Sequence, residues 1–250
     1  MGQIVRLNES FSGTGLQKLV SYDTSKIRDE LLKVTTLRGF YDFTDTSSMT
    51  MSGTSISQIN DLSGNNLHFK QVAAANNPTY APSAFNGVGG VSFSGNKYLL
   101  ADSLFSASKV RTVIVFVRAR GAGNRIIIGK PSSATENLYV ANGSVKIISG
   151  DVTIVTDVHE YSDVHIIGAY DGVNGDGYLS VNQLSQTVTG TLNKAAVSAD
   201  SVYVGRWSDS KSDSFYVGDI GHVMVFDEDI SKNIALLNLI KEYAFRKYHK

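Results

Sequence analysis

The side chains best suited to chemistry in this chain surround its only tryptophan. Trp207 follows the strand-like segment 202–206 and stands beside Arg206 and, two positions later, Asp209. An exposed indole ring can stack on the apolar face of a sugar, and neighbouring carboxylates can accept hydrogen bonds from its hydroxyl groups. We therefore name Trp207, Arg206 and Asp209 as candidate ligand-binding residues. The alternative is a packing role for Trp207 at the rim or in the core of a sheet.

A loop rich in side-chain oxygens supplies the other candidates, Asp171, Asn174 and Asp176. Oxygen ligands at such short intervals are typical of calcium-binding loops. The spacing does not fit an EF-hand, because the alignment that suits Asn174 and Asp176 places Gln183 where the last acidic ligand is needed. We interpret the segment as a hairpin turn with a polar rim, predict no metal site and no cofactor, and leave calcium without support. The similar loop at 60–66 is interpreted as a turn held by its own amides.

The sequence does not predict an enzyme. Glycoside hydrolysis uses two carboxylates on adjacent inward-facing positions, whereas every glutamate of this chain falls in the N-terminal arm, a predicted loop or a predicted helix. The histidines form no HExxH pair, and no GxSxG motif is present. A glycoside hydrolase is therefore the least favoured of the functions considered, and the histidines are interpreted as sheet or surface residues.

The elements that must position these residues are strands separated by turns. The segment 110–117 is almost continuously apolar, which predicts a central strand buried on both faces. Asn-Gly at 142–143 and Asp-Gly at 171–172 and 176–177 predict antiparallel hairpins. The density of strands predicts two stacked antiparallel sheets. A final helix is predicted at 231–248, with Ser231 as its N-cap.

Composition limits the range of partners. The chain has 250 residues, 42% of them hydrophobic, and 23 basic residues balance 23 acidic ones, so no positive field attracts nucleic acid or an anionic membrane. It has no cysteine, which excludes disulfides and thiolate metal sites. We find no signal peptide and no apolar stretch of membrane-spanning length. The expectation is a soluble protein made in the cytoplasm that binds neither nucleic acid nor membrane.

The N-terminal segment differs from the remainder and divides the chain into residues 1–37, an arm with a short helix, and residues 38–250, one β-domain. The helix is predicted at 25–34, where Ile27, Leu31 and Val34 share one face. This face needs an apolar surface to cover it. Packing against its own β-domain and docking on a neighbouring subunit are both left open.

Several segments carry a family resemblance: FYDF at 40–43, ISQINDLSGN at 56–65, VSFSG at 91–95 and GDIGHVMVF at 218–226. In order and spacing they resemble the opening and closing segments of concanavalin A-like, laminin-G-type jelly rolls, over residues 38–249. The resemblance implies an all-β antiparallel sandwich with a C-terminal helix. Ile59 stands where family members have Trp, which implies that a rim aromatic is missing. The calcium-binding positions of the family find no match, so the metal is not carried over.

The arm at 4–11, ahead of such a domain in a chain without cysteine, is similar to bacteriophage virion proteins that carry laminin-G-like domains. This resemblance implies a non-enzymatic tail, fibre or head-surface component, assembled in the host cytoplasm and displayed on the virion. It also implies oligomeric assembly in the particle and contacts with other virion proteins through the arm. The role is left open between assembly, decoration and host-surface attachment, with a host-surface glycan as one candidate partner. The alternative is a stand-alone carbohydrate-binding lectin, whose binding rim would combine Trp207 with the polar loops around Asp171–Asp176 and Asp209.

Overall fold

The computed structural model describes residues 24–106, 110–120, 124–130, 133–141, 144–149, 152–157, 164–171, 176–181, 186–191, 200–207 and 215–248. Strands dominate these residues. In chain order they are β1 (Leu37–Asp42), β2 (Met49–Ser52), β3 (Ser55–Ile59), β4 (Phe69–Lys70), β5 (Thr79–Phe85), β6 (Val88–Phe93), β7 (Leu99–Phe105), β8 (Val110–Ala119), β9 (Asn124–Lys130), β10 (Ser133–Ala141), β11 (Ser144–Ser149), β12 (Val152–Asp157), β13 (Val164–Asp171), β14 (Asp176–Val181), β15 (Gln186–Thr191), β16 (Asp200–Val204) and β17 (Gly218–Phe226).

Two α-helices accompany the strands in the described part of the chain, α1 (Thr24–Leu31) and α2 (Ile234–Tyr248). Short 3-10 turns lie at Thr46–Ser48, Ala74–Asn76 and Ile230–Lys232. None of the helices described here is long and apolar enough to cross a membrane.

The strands form an antiparallel sandwich. One sheet runs in the order β15, β14, β13, β8, β17, and the far side of β17 pairs with β6 near its start and with β1 along the rest of its length. The other sheet contains the ladder from β12 through β11, β10, β9, β16 and β7 to β4, β3 and β2. A single pairing between β3 and β5 joins the two at one side. The structure confirms the predicted all-β jelly-roll class.

The inner core lies between the sheets and is made of aliphatic and aromatic side chains from nearly every strand. Strand β8 is central, flanked by β13 and β17. Val115 and Val117 enter the inner core, whereas Ile114 and Phe116 point to the opposite side, and all four are buried. The prediction of a strand buried on both faces is confirmed. Ile59 is also buried in the inner core, so this position serves packing and is not at a rim.

A second apolar cluster, the outer core, lies between the outer face of the first sheet and the two helices. Strands β1, β8 and β17 contribute Phe40, Phe116 and Met224 to it. From α1, Ile27 and Leu31 are buried in this cluster, and α1 also packs against α2. The apolar face of α1 is thus covered by its own chain, which is the first of the two alternatives.

The start of the last helix differs from the prediction. Asn233, and not Ser231, caps α2, because its side-chain oxygen accepts a hydrogen bond from the amide of Leu236 at 3.1 Å. Ser231 belongs to the preceding 3-10 turn, where its own amide donates to Asp229 at 2.9 Å. The chain therefore makes one extra tight turn between β17 and α2, and this turn forms one wall of the pocket described next.

Candidate ligand-binding site

A cavity of about 360 Å³ lies where the β14–β15 hairpin meets the 3-10 turn before α2. It is within the size range of small-molecule sites. Its described lining, here called the hairpin pocket, consists of Gly177, Tyr178, Thr189, Gly190, Thr191, Asp229, Ser231 and Lys232.

Strand alternation sets the hairpin side of this pocket. Leu179 of β14 enters the inner core, so its neighbour Tyr178 belongs to the outer face of the sheet, where it packs partly against the outer core. Tyr178 pairs with Thr189 across the ladder, and paired residues share a face. The half-buried tyrosine ring and the exposed threonines therefore line the same cavity. Gly177 and Gly190 form the adjacent pair and add no side-chain volume.

The 3-10 turn forms the opposite wall. Asp229 caps this turn through its hydrogen bond with the Ser231 amide, which holds one carboxylate oxygen in place. Lys232 is exposed, and no described carboxylate lies within ion-pairing distance of it. The pocket lining thus combines an aromatic ring, four hydroxyl groups including that of the tyrosine, a carboxylate and an ammonium group. Such a set of donors and acceptors around one ring suits a polyhydroxylated ligand.

The two described ends of the predicted polar loop, Asp171 and Asp176, lie close to this pocket. Asp171 pairs with Asp176 at the end of the β13–β14 hairpin, which confirms the predicted antiparallel turn. Asp176 is also in register with the pocket residue Thr191. Asn174 lies outside the described residues. The candidates Asp171 and Asp176 thus end the β13–β14 hairpin, and the residues that line the pocket were not among the candidates.

The predicted tryptophan site is a separate cluster around Arg206. Its guanidinium carbon lies 4.9 Å from the ring centre of Tyr98 and 5.1 Å from that of Tyr203, within the range of cation–π contacts. The backbones of Arg206 and Phe215 form an isolated antiparallel β-bridge. The neighbouring residue Trp207 is half-buried. Asp209 lies outside the described residues. We call Tyr98, Tyr203, Arg206, Trp207 and Phe215 the arginine cluster.

Among the described candidates, Arg206 and Trp207 lie far from Asp171 and Asp176. Val204, which leads into the arginine cluster, pairs with Leu99 at the start of β7. The other end of β7 leads through residues 106–109 into Val110, which pairs with Asp171. The seven residues of strand β7 span about 20 Å, and this distance separates the arginine cluster from the Asp171–Asp176 pair. Of the rim expected for the lectin alternative, the described residues therefore occupy two distant locations.

The backbone of Arg206 and Trp207 packs directly against Gly129 of strand β9. A Cβ atom added to Gly129 would be 2.1 Å from the carbonyl oxygen of Trp207 and 2.4 Å from that of Arg206. Because these are backbone atoms, the whole segment must move to accept a side chain. Gly129 thus fixes where Trp207 lies.

We expect Gly129→Ala to lower the free energy of unfolding by about 1 to 3 kcal/mol through overpacking. Since Trp207 is the only tryptophan, its fluorescence emission maximum should shift as well. The matched control is Gly221→Ala, whose Cβ would clash with the hydroxyl of Tyr248 instead. The control should lose stability without shifting the emission. Equal spectra for the two variants would contradict this placement of Trp207.

A buried polar cluster that the sequence did not reveal fastens α2 to the first sheet. His222 of β17 is fully buried, and its Nε2 lies 3.2 Å from Oδ1 of Asp42 on β1 and 2.8 Å from the hydroxyl of Tyr243. Its Nδ1 faces the hydroxyl of Tyr248. Lys247 lies 3.3 Å from the other oxygen of Asp42. We call these five residues the His222 cluster.

The charges of the His222 cluster follow from its burial. Burial lowers the pKa of His222, and although Asp42 opposes this effect, the net direction is downward, so the imidazole is neutral near pH 7. Burial on its own would raise the pKa of Asp42, but His222, Lys247 and a hydrogen bond from Thr44 together hold it far below its usual range. From these contacts we assign the proton of the neutral ring to Nε2, where it faces Asp42. Nδ1 then accepts a hydrogen bond from the hydroxyl of Tyr248.

Among the described residues, no group of three histidine, aspartate or glutamate side chains is arranged to hold a metal ion.

The loop at 60–66 is confirmed as a turn held by its own amides. Asp61 in it accepts hydrogen bonds from the amides of Ser63 and Leu67, at 2.9 and 3.2 Å.

Comparisons with protein-family models and with curated proteins find no match. Solved structures do match. Domain 4 of AbnA, a GH43 extracellular arabinanase from Geobacillus stearothermophilus, in complex with arabinotriose, matches with a TM-score of 0.57 and 13% identity, over 83% of this chain and 98% of that domain. Trypanosoma rangeli sialidase in complex with sialic acid gives a TM-score of 0.61 and 13% identity, over 84% of this chain but 34% of the sialidase chain. A GH54 α-L-arabinofuranosidase gives 0.57 and 12%, over 76% of this chain and 51% of that enzyme. At these identities the likeness establishes the β-sandwich fold.

Proposed function

We propose that this chain is a non-catalytic carbohydrate-binding β-sandwich whose sugar site is the hairpin pocket. The observation that carries the proposal is the pocket's combination of one accessible aromatic ring with convergent hydroxyl and charged groups. The likeness to Domain 4 of AbnA supports it, since nearly all of that domain matches this chain and its structure contains arabinotriose.

The pocket geometry suggests how a sugar would be held. The ring of Tyr178 offers a face for stacking against the carbon-bound hydrogens of a sugar. Thr189 and Thr191 stand beside it on the same face, and their hydroxyl groups can both donate and accept hydrogen bonds. Asp229 and Lys232 face them from the 3-10 turn, one as an acceptor and the other as a donor. A short oligosaccharide of neutral furanose or pyranose units fits this arrangement.

The absence of catalysis is part of the proposal. Hydrolysis of a glycosidic bond commonly uses an acid and a second carboxylate on the two sides of the bond. Asp229 is the one carboxylate among the described lining residues, and one of its oxygens is engaged by the Ser231 amide. It is placed as a cap that also reaches the ligand.

A more specific form of the proposal adds a role on a bacteriophage particle. In this form, the β-sandwich would be displayed on a bacteriophage particle and would attach to a host-surface glycan through the hairpin pocket. The arm at 4–11 that carries the resemblance to virion proteins lies outside the described residues. Deleting residues 1–23 tests it: a virion protein should keep its sugar affinity and fail to enter particles.

Tyr178→Ala should weaken sugar binding at least tenfold, equivalent to about 1.4 kcal/mol, because the stacking surface is lost. The full-length protein is first screened on a glycan array that includes arabino-oligosaccharides and sialylated glycans. The best ligand is then titrated into the wild type and the variant by calorimetry. Tyr178→Phe should keep most of the affinity, since it retains the ring.

Trp207→Ala is the matched control at the other end of the sandwich and should bind as tightly as the wild type. Loss of binding in Trp207→Ala with full affinity in Tyr178→Ala would move the site to the arginine cluster. An array without any specific signal would reject carbohydrate binding and leave assembly as the function.

A further inference from the structure

The last turns of α2 are held to the sheet by polar contacts as well as by apolar ones. Tyr243, Lys247 and Tyr248 all reach the buried pair His222 and Asp42, which β17 and β1 supply. Both members of the pair are almost inaccessible to solvent, at 0% and 1% exposure. The end of the helix therefore covers two ionisable groups that would meet water if the helix moved away.

The fit at this point is close. A Cβ atom on Gly221 would lie 2.1 Å from the hydroxyl oxygen of Tyr248, so the tyrosine rests directly on the backbone of β17. Its ring stacks on Phe116 with the ring centres 5.5 Å apart. His222 is fully buried beside this contact, and the Tyr248 hydroxyl is the direct partner of its Nδ1.

The charged and titratable groups that face His222 come from three elements. Asp42 approaches from β1, Lys247 and the two tyrosines from α2, and Arg28 acts on it from α1. Burial, Lys247 and Arg28 lower the pKa of His222, and Asp42 raises it without reversing the direction. With α2 detached, the imidazole would be hydrated and would bind a proton near its usual pKa of about 6.5. The detached form therefore takes up a proton that the closed form does not, and acid favours detachment.

We propose that the His222 cluster is an acid-sensitive latch, which releases helix α2 from the outer face of the first sheet below about pH 6, before the sandwich unfolds. Release exposes the outer core, including Phe116 and Met224. Helix α1 loosens with α2, because Ile27 and Leu31 are buried in the same cluster. The inner core lies on the other side of the sheet and stays closed.

Hydrogen exchange of the full chain, followed by mass spectrometry from pH 7.5 to 5.0 and corrected for intrinsic rates, tests the latch. Protection of α2 should be constant above the usual histidine pKa and fall by up to tenfold per pH unit below it, as expected for the uptake of one proton. Protection of β8 should stay unchanged over this range. Constant protection of α2, or a parallel fall in β8, would overturn the proposal.

His222→Gln should remove the pH dependence of α2 protection, whereas His68→Gln, at the half-buried histidine of the 60–68 loop, should leave it intact. Should His222→Gln fail to fold, Tyr248→Phe decides the question. It keeps the ring on Phe116 but removes the hydroxyl partner of Nδ1, so α2 should exchange faster at neutral pH while β8 does not. Wild-type protection of α2 in Tyr248→Phe at every pH would refute the latch.

Discussion

Replacing Asp42 by alanine is expected to lower the free energy of unfolding by about 3 to 5 kcal/mol at pH 7. Oδ1 of Asp42 accepts hydrogen bonds from the backbone amide and the hydroxyl of Thr44, at 2.9 and 2.5 Å. The same carboxylate faces His222 and Lys247, the second of which has only 21% of its side chain exposed. The substitution would leave a largely covered ammonium group and a buried imidazole without their acceptor, and this desolvation penalty sets the size of the loss.

Urea denaturation of the wild type and the variant measures the effect. Asp45→Ala is the matched control, three positions along the chain and at the surface. It removes the cap of the 3-10 turn Thr46–Ser48, so it should cost about 1 kcal/mol. Asp42→Asn should fall between the two, because the amide oxygen still accepts from Thr44 while the charge facing Lys247 is gone. A loss in Asp42→Ala no larger than that in Asp45→Ala would show that the cluster contributes little to stability.

The fold was largely predictable because its central strands carry strong local signals. Strand β8 is so apolar that its burial on both faces follows from composition, and β17 shows the same pattern over nine buried residues. The strands β2, β5, β12 and β15 carry weaker signals. The first and last of these are short and carry mostly methionine, serine, threonine and glutamine, whereas β5 contains Pro82, which argues against a central strand. In strand β12 two adjacent apolar residues, Ile154 and Val155, break the alternation.

The hairpin pocket was out of reach of motif reasoning. Its residues come from two segments, 177–191 and 229–232, that are joined only by the tertiary structure. Threonine and glycine carry no specific signal for ligand binding, and the aromatic that lines the pocket is one of 12 tyrosines. As a sugar platform the sequence favours the rarest aromatic, Trp207, whereas the proposed site uses Tyr178. The antiparallel turn between Asp171 and Asp176 was the part that the sequence could supply.

The His222 cluster shows the same limit. That His222 is a sheet histidine was predictable from its place in an apolar strand, and the structure confirms it. Its partner Asp42 lies at the end of β1 near the other terminus of the chain, and the ladder between β1 and β17 pairs the two residues directly. Register across such a distance is a tertiary property, since it depends on which strands become neighbours.

Asp61→Ala is expected to cost about 3 kcal/mol, which is large for a loop residue. Its Oδ1 accepts from the amides of Phe40 at 3.1 Å and Ser63 at 2.9 Å, and its Oδ2 from the amide of Leu67 at 3.2 Å. Asp61 is only 7% exposed, so its loss leaves three amides without an acceptor, of which that of Phe40 is buried in β1. Each unsatisfied donor costs about 1 to 3 kcal/mol, and entry of water near the surface keeps the sum at the lower end.

Urea denaturation gives the stability change, and limited proteolysis between 60 and 68 reports whether the loop has opened. Asp61→Asn should retain more than half of the stability lost in the alanine variant, because Oδ1 still accepts from two of the three amides. Asn65→Ala is the control within the same loop. It removes exposed or half-buried hydrogen bonds to the carbonyl groups of Leu37 and Arg38 and to the Ser63 hydroxyl, and it should cost less than about 1 kcal/mol. If Asp61→Ala behaves like Asn65→Ala, the loop is held by the backbone bond from Leu62 to Phe40 instead. The expected result would make Asp61 the residue that ties this segment to the first strand of the sandwich.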